Sequence, residues 1–417
     1  MIALCPRNIN NIHGFLLAAG YGTRMKILSD CRWNKHAAAK PAFPVGRNSM
    51  VRHQLHLMQE MGIKKVTIAV KYKPESVLAA LGDVSKLGLD IEIFDLDEES
   101  VEDWGAAWTV YRWLAPRMRG GFDPDGIVVF NGDILWDRSY AKPFIESFGR
   151  SNAWAHIAAC ETPMEQIYGR FGAMQLESPT YLFASKVRSF VEKPNRHDVG
   201  SHIGNFANVG IFALDPELFR YFDPEYSTAK RSMGRDFCDF AYDLFQEGMI
   251  QEGLLLEAFV AQDGFYWKDI GDPTALLQAN FDILKARVDA GYQGKEIKPG
   301  VWIGAGVSLS PSLLKQIKPP VIIGDNVQLH KTARIGPNVV IGAGWDIRKD
   351  AKIMNSLLLP PYNEDDIVRV IGPRMRLNRC IVVSGHVETM ANKRQDEIII
   401  QDQNGFLGFL PHTFNVI

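Results

Sequence analysis

A chain of 417 residues, 46% hydrophobic and 23% charged, is long enough to bury more than one core, so two domains are the starting expectation. Its 46 basic and 48 acidic residues leave a formal net charge of −2, which gives no bulk reason to expect nucleic acid or an anionic membrane as a partner and makes any phosphate binding local. Five scattered cysteines lack both paired metal spacing and the density of a secreted disulfide scaffold, and the early apolar stretch Gly14 to Ala19 is too short to span a membrane, so a cytoplasmic protein is expected.

From Phe15 to about Leu284, short apolar runs alternate with amphipathic stretches, the pattern of a mixed, mostly parallel sheet flanked by helices in a Rossmann-like α/β domain. Phe15 to Ala18 reads as the first strand. Val51, Leu55 and Met58 make one helical face, Gly62 stops that helix, and Val66 to Val70 is the second strand of a βαβ unit. Ile91 to Phe94 and Ile127 to Phe130 are expected to be further buried strands, the second ending in Asn131-Gly132-Asp133, and ligands sit at the carboxyl ends of such strands.

After about residue 295 a six-residue repeat replaces the helical period. Val321, Val327, Ala333, Val339, Trp345, Ala351 and Leu357 share one position, and Ile323, Leu329, Ile335, Ile341, Ile347, Ile353 and Leu359 share the position two later. An earlier pair of hexads (Val301 with Ile303, Val307 with Leu309) is offset by an insertion around Lys315 to Pro320. This resembles a left-handed parallel β-helix, in which three hexads close one triangular coil. The expected domains are thus 1–290 (catalytic), 295–360 (β-helix) and a β-rich tail, 361–417, with no hexad and no assigned role.

The strongest local signal for chemistry is Ala19-Gly20-Tyr21-Gly22-Thr23-Arg24, a glycine-rich turn directly after a strand. Its glycines let backbone N–H groups close on phosphate oxygens, and Arg24 adds a forked cation. A plain tight connection is the bland alternative, and a dinucleotide-binding turn is the rival, which wants a third glycine where Met25 stands. Downstream, Lys40-Pro41-Ala42-Phe43-Pro44 stiffens the chain around one lysine.

Together, G-x-G-T-R and K-P-x-x-P resemble the signature of the nucleotide-sugar pyrophosphorylases, the sugar-1-phosphate nucleotidyltransferases. The resemblance continues in order through Asn131-Gly132-Asp133, Val191-Glu192-Lys193-Pro194, Asn208-Val209-Gly210-Ile211 and Trp267-Lys268-Asp269-Ile270-Gly271-Asp272-Pro273. It implies an enzyme joining a sugar 1-phosphate to a nucleoside triphosphate, with Asp133 and Asp269 holding Mg²⁺, Lys193 neutralising the sugar phosphate, and Glu192, Asn208 and the Gly172 backbone contacting the sugar. Lys40 would balance charge on the reacting phosphates, and Arg24 would stabilise the departing pyrophosphate. Nucleotide contacts would come from Ala19, Gly20, Gly22, Thr23, Arg24, Glu102 and Gly105, because Glu102-Asp103-Trp104-Gly105 resembles the family's base-packing segment.

A carboxylate at Glu102 only accepts hydrogen bonds and so favours guanine, and the resemblance leans to GDP-mannose, with UDP-, ADP- and dTDP-glucose open. Asp133 and Asp269 could instead cap the helices that follow them. Two departures stand out: residues 29–39 are inserted between Arg24 and Lys40, and Asp272 replaces the family threonine, placing an extra charge near the metal. A nucleotide-sugar-sensing regulatory subunit and a β-helix acyltransferase using His330 are the other readings. Self-association through the β-helix is expected.

Overall fold

The structure, a computed structural model, describes residues 6–32, 34, 36–96, 105–197, 203–222, 239–262, 265–291, 293–362, 369–383, 385–388, 393–401 and 407–411. Its contacts divide the chain into two compact units that do not follow chain order. Met1–Ala19, Gln54–Lys71 and Val84–Trp267 make the first, and Gly20–His53, Tyr72–Asp83 and Lys268–Ile417 make the second. The expected division into consecutive stretches is not the one the contacts make. One reason is Asn280, on the helix Pro273–Leu284, whose side chain accepts from the Gly46 N–H at 2.8 Å and donates to the Pro44 carbonyl at 3.0 Å.

Among the described residues the first unit is built on a sheet of nine strands: β1 (Ile12–Ala18), β2 (Lys65–Val70), β3 (Asp90–Asp95), β4 (Gly126–Asn131), β5 (Ala155–Glu161), β6 (Ala173–Leu176), β7 (Ala184–Val191), β8 (Phe206–Leu214) and β9 (Leu256–Val260). They lie in the order β3-β2-β1-β4-β8-β5-β9-β7-β6. Strands β3, β2, β1 and β4 are mutually parallel, as expected. Beyond β4 the described strands pair largely antiparallel, β5 with β9 being the one parallel pair among them, so the sheet is mixed rather than mostly parallel. Parallel strands need a long crossover, and the helices Met50–Glu60 and Ala106–Arg119 lie in two of those in this sheet; β6 and β7 are joined by residues 177–183 alone and run antiparallel.

Strand β4 is buried on both faces, as its unbroken apolar run requires. Strand β3 departs from expectation: it is the edge of the sheet, and Ile93 is 39% exposed. An apolar run reports side-chain type, not whether a second neighbour covers the strand.

In the second unit, short strands recur in rotation on three parallel ladders, a topology that fits a parallel β-helix. Val301–Ile303, Val321–Ile323, Val339–Ile341, Ser356–Leu358, Ile381–Val382 and Glu397–Gln401 form the first ladder. Gln328–Leu329, Asp346–Ile347, Arg369–Ile371 and Gly385–Val387 form the second, and Arg334–Ile335, Lys352–Met354, Arg376–Asn378 and Lys393–Gln395 the third. The hexad residues from Val321 to Ile353 fill the interior, apart from half-buried Leu329.

Two expectations are corrected here. The ladders run past residue 360 to Gln401, and Leu407–Pro411 then pairs antiparallel with the last strand, so most described residues of the expected tail belong to the same coils. The hexad is lost there because coil length changes: Leu329 pairs with Ile347, 347 − 329 = 18 residues on, but Ile347 pairs with Ile371, 371 − 347 = 24 on. Leu357 and Leu359 also leave the interior set. Val339 pairs with Ser356 and Ile341 with Leu358, a step of 17, because the corner at Asn355 (φ 48°) is one residue shorter than the one at Asn338. A one-residue slip sends every side chain to the other face of a strand.

The outward positions of the first ladder (Ile322, Val340, Leu357, Ile381 and Ile398) are apolar and buried, and the helix Pro273–Leu284 packs on this side at Ser356–Leu358. The third ladder has two outward columns: Arg334, Lys352, Arg376 and Lys393 before the interior position, and Met354, Asn378 and Gln395 after it.

Candidate active site

In the first unit, β1 and β4 end side by side, and the Gly132 N–H donates to the Leu17 carbonyl at 3.0 Å, so Asn131-Gly132-Asp133 leaves the carboxyl edge beside the end of β1. Gly210 (φ 84°) is required at its position because a Cβ there would stand 2.7 Å from the Asn131 amide. The Asn208 side chain accepts from the Gly210 N–H at 2.8 Å and holds that bend of β8.

The four expected sugar-phosphate residues come together here. The Asn208 N–H donates to the Gly172 carbonyl at 2.9 Å, and a Cβ on Gly172 would stand 2.8 Å from Glu192 Oε2 and 2.4 Å from the Phe190 ring. Lys193 Nζ lies 3.3 Å from Glu192 Oε1. Burial pushes the Glu192 carboxyl above the usual carboxylate range, against the opposing pull of Lys193. The Gln246 side chain, from the π-type helix Phe240–Ile250, accepts from the Glu192 N–H at 2.9 Å. Phe171 packs edge-on against Trp267, with ring centroids 4.8 Å apart. Gln246 carries no motif, and only a contact distant in sequence identifies it.

The glycine-rich turn belongs to the second unit. Gly20, Tyr21, Thr23 and Arg24 are exposed, Met25 is buried as their anchor, and the Met25 N–H donates to the Gly22 carbonyl at 2.7 Å. Gly22 is left-handed (φ 57°), and a Cβ there would meet the Lys40 stem at 3.4 Å. Lys40 is buried in the short 3₁₀ turn Lys40–Ala42, fixed from behind by the Ala39 N–H donating to Ser76 Oγ at 2.9 Å. Among the described residues of the insertion, Ser29, Asn34 and His36 to Ala39 are buried: Asn34 donates to the Leu28 carbonyl at 3.1 Å and accepts from the His36 N–H at 3.0 Å.

Arg24 Nη2 lies 3.4 Å from Asp269 Oδ2, its side chain 58% exposed against 11% for the aspartate. A Cβ on Gly271 would stand 2.7 Å from that guanidinium, so the motif glycine is the seat of the arginine. Asp272 is the N-cap of Pro273–Leu284, accepting from the Ala275 N–H at 2.8 Å, and Asp137 caps the turn Arg138–Tyr140. These two take the capping roles open to Asp269 and Asp133.

Asp133 belongs to the first unit and Asp269 to the second. Each offers the hard oxygens that Mg²⁺ takes, and an ion completed by substrate phosphates needs only one or two such carboxylates from the protein. Gly105 (φ 80°) starts the helix Ala106–Arg119, whereas Glu102 lies outside the described residues. At a corner of the parallel ladders, His330 Nδ1 accepts from the Thr332 N–H at 3.2 Å, a contact that suffices to explain that histidine. No helix among the described residues is long and apolar enough to cross a membrane.

The model of the Nucleotidyl transferase family matches residues 13–286. Similar proteins include a glucose-1-phosphate adenylyltransferase of Clostridium beijerinckii, 26% identical over 386 residues (82% of this chain and 92% of that protein), and one of Clostridium kluyveri, 25% identical over 362 residues (83% and 84%). The solved structure of a UDP-glucose pyrophosphorylase complexed with UDP-glucose superposes with a TM-score of 0.51 at 16% identity, over 66% of this chain and 98% of that one. The expected lean to GDP-mannose finds no support: neither relative's name carries guanine or mannose, and Glu102, on which it stood, is not described. With the match spanning the βαβ start, both motif halves and the helix Pro273–Leu284, the chain belongs to the nucleotidyl transferase family.

Proposed function

We propose that this protein makes a nucleotide sugar from glucose 1-phosphate and ATP, releasing pyrophosphate. The assembly of Gly172, Glu192, Lys193 and Asn208 into one contact set carries the reading, because three separate segments of the chain bring a cation, a carboxylate and an amide together, groups suited to a phosphorylated sugar. The names of the adenylyltransferase relatives support adenine and glucose.

In the reaction, an oxygen of the sugar phosphate attacks the α-phosphorus, the new P–O bond forms, and the bond to the β-phosphate oxygen breaks. The attacking sugar phosphate oxygen is already anionic, so no general base is required, and catalysis is positioning plus charge neutralisation. Lys193 holds the sugar phosphate, and Glu192 and Asn208 hold the sugar hydroxyls. The N–H groups of Ala19, Gly20, Gly22 and Thr23 take the triphosphate, with Gly105 near the base. Arg24 and Lys40 neutralise charge on the departing pyrophosphate. Asp133 and Asp269 are proposed to hold Mg²⁺, which when bound supplies charge neutralisation at the phosphates. The same family likeness carries a left-handed coil for the β-helix and self-association through it.

Pyrophosphate release is measured with glucose 1-phosphate, Mg²⁺ and ATP, UTP, dTTP or GTP in turn. ATP should give the fastest release. Ligand-induced thermal stabilisation with no release from any pair would make the chain a sensor rather than an enzyme.

A further inference from the structure

The third ladder of the β-helix carries a cation on each rung from Arg334 onward, because Arg334 pairs in register with Lys352, Lys352 with Arg376, and Arg376 with Lys393. Neighbouring strands lie about 4.8 Å apart, so these four outward side chains form a line of about 14 Å. Lys331 and Arg374 adjoin it at the corner, and with Arg334, Lys352 and Arg376 they line a cleft of about 480 Å³ in which Asp350 is the one carboxylate among the described lining residues. Among the described residues none of these cations forms an ion pair, whereas nearby Arg348 and Arg379 each pair with an aspartate.

This concentration stands out in a chain of net charge −2, and the other two ladders do not share it: one is apolar outside, and the other begins with Gln328 and Asp346. Like charges on facing rungs destabilise a sheet, so the line is unfavourable in the bare protein and is relieved by an anion that spans several rungs. Arg334, Arg374 and Arg376 present forks that match phosphate oxygens two at a time, and Lys352 adds a point charge between them.

We propose that this face is a binding site for an anion carrying two or more phosphate groups, laid along the ladder. A single phosphate engages fewer rungs and binds more weakly. The phosphates belong either to an inorganic chain or to an organic bisphosphate, and the site reads only their charge and spacing.

The test is calorimetric titration of the full chain without Mg²⁺, using inorganic tripolyphosphate, orthophosphate and propane-1,3-diol bisphosphate as probes. Tripolyphosphate should bind at least about tenfold more tightly than orthophosphate and weaken steeply with salt, as contacts between several cations and phosphates do. Arg334 and Arg376 are exposed, so Arg334→Gln/Arg376→Gln keeps the fold, checked by circular dichroism, and should lose about tenfold or more in tripolyphosphate affinity. Arg334→Lys/Arg376→Lys should stay within about threefold because the charges remain. Arg24→Ala should leave this binding event in place, which separates it from the glycine-rich turn. Binding of the bisphosphate ester as well would extend the site to organic ligands, and binding of tripolyphosphate alone would confine it to inorganic chains. A change below about twofold in Arg334→Gln/Arg376→Gln, or tighter binding of single-stranded DNA than of tripolyphosphate, would overturn the proposal.

Discussion

The guanidinium of Arg24 rests 3.4 Å from the carboxylate of Asp269, over a glycine, Gly271, whose missing side chain is what leaves it room. Gly271→Ala should therefore act through Arg24. The displaced group is the far end of a flexible, half-exposed side chain, so the melting temperature should move by no more than about 2 °C. Turnover should fall toward that of Arg24→Ala, for which the loss expected of a cation acting on transition-state charge is about 10²-fold or more. Steady-state kinetics beside a thermal melt decide it; an Arg24→Ala loss below about threefold removes the arginine from the mechanism.

Gly20→Ala separates ligand contact from folding. A Cβ at Gly20 meets nothing within 4 Å and the residue has no positive φ, so stability should change by less than about 0.5 kcal/mol. If backbone N–H groups here close on the triphosphate, KM for the nucleotide should rise by about tenfold, the equivalent of about 1.4 kcal/mol of lost binding. An unchanged KM would leave Gly20-Tyr21-Gly22 as a plain connection.

Glu192 sets binding against stability. Burial raises its pKa, so in acid, below the unfolded carboxyl pKa, both states hold the proton and ionisation costs nothing. As pH rises the unfolded chain ionises first, and the native state loses stability until its own raised pKa is passed. Glu192→Gln should therefore melt higher than the parent at pH 7 and at the same temperature at pH 3.5, while losing affinity for the sugar phosphate. Thermal melts of both proteins across that range are the measurement.

His13 supplies the opposite slope. Its Nε2 meets Thr67 Oγ1 at 2.9 Å, its ring lies 4.6 Å from that of Trp113, and burial lowers its pKa to about 4. The stability of the neutral form is complete above the unfolded value near 6.5 and drains away as pH falls to about 4, a loss of the order of 3 kcal/mol. Urea unfolding of His13→Gln should show a shallower decline over that window. Parallel curves would mean that the imidazole is not kept neutral.

What could be read from the sequence was what local chemistry determines. The strand Ile12–Ala18, the helix over Val51, Leu55 and Met58, and the interior hexads to Ile353 all follow from periodicity. Strand direction did not, since apolar runs look alike whichever way they pair, and the antiparallel half of the sheet was missed. The slip at Asn355 and the 24-residue step to Ile371 were hidden because corners have no apolar signature. In the site, Gly172, Glu192, Lys193 and Asn208 could be named from motif order, but that Gly271 seats Arg24 and that Asp272 caps a helix depend on contacts only the folded chain reveals.

The way the chain is shared between its two units has a consequence for biogenesis. Gly20–His53 leaves the ribosome early, yet the stretch that shares its compact unit, Lys268–Ile417, is synthesised much later. The glycine-rich turn thus spends most of translation without its native neighbours, and cutting the gene after residue 290 would strand it rather than release a working enzyme.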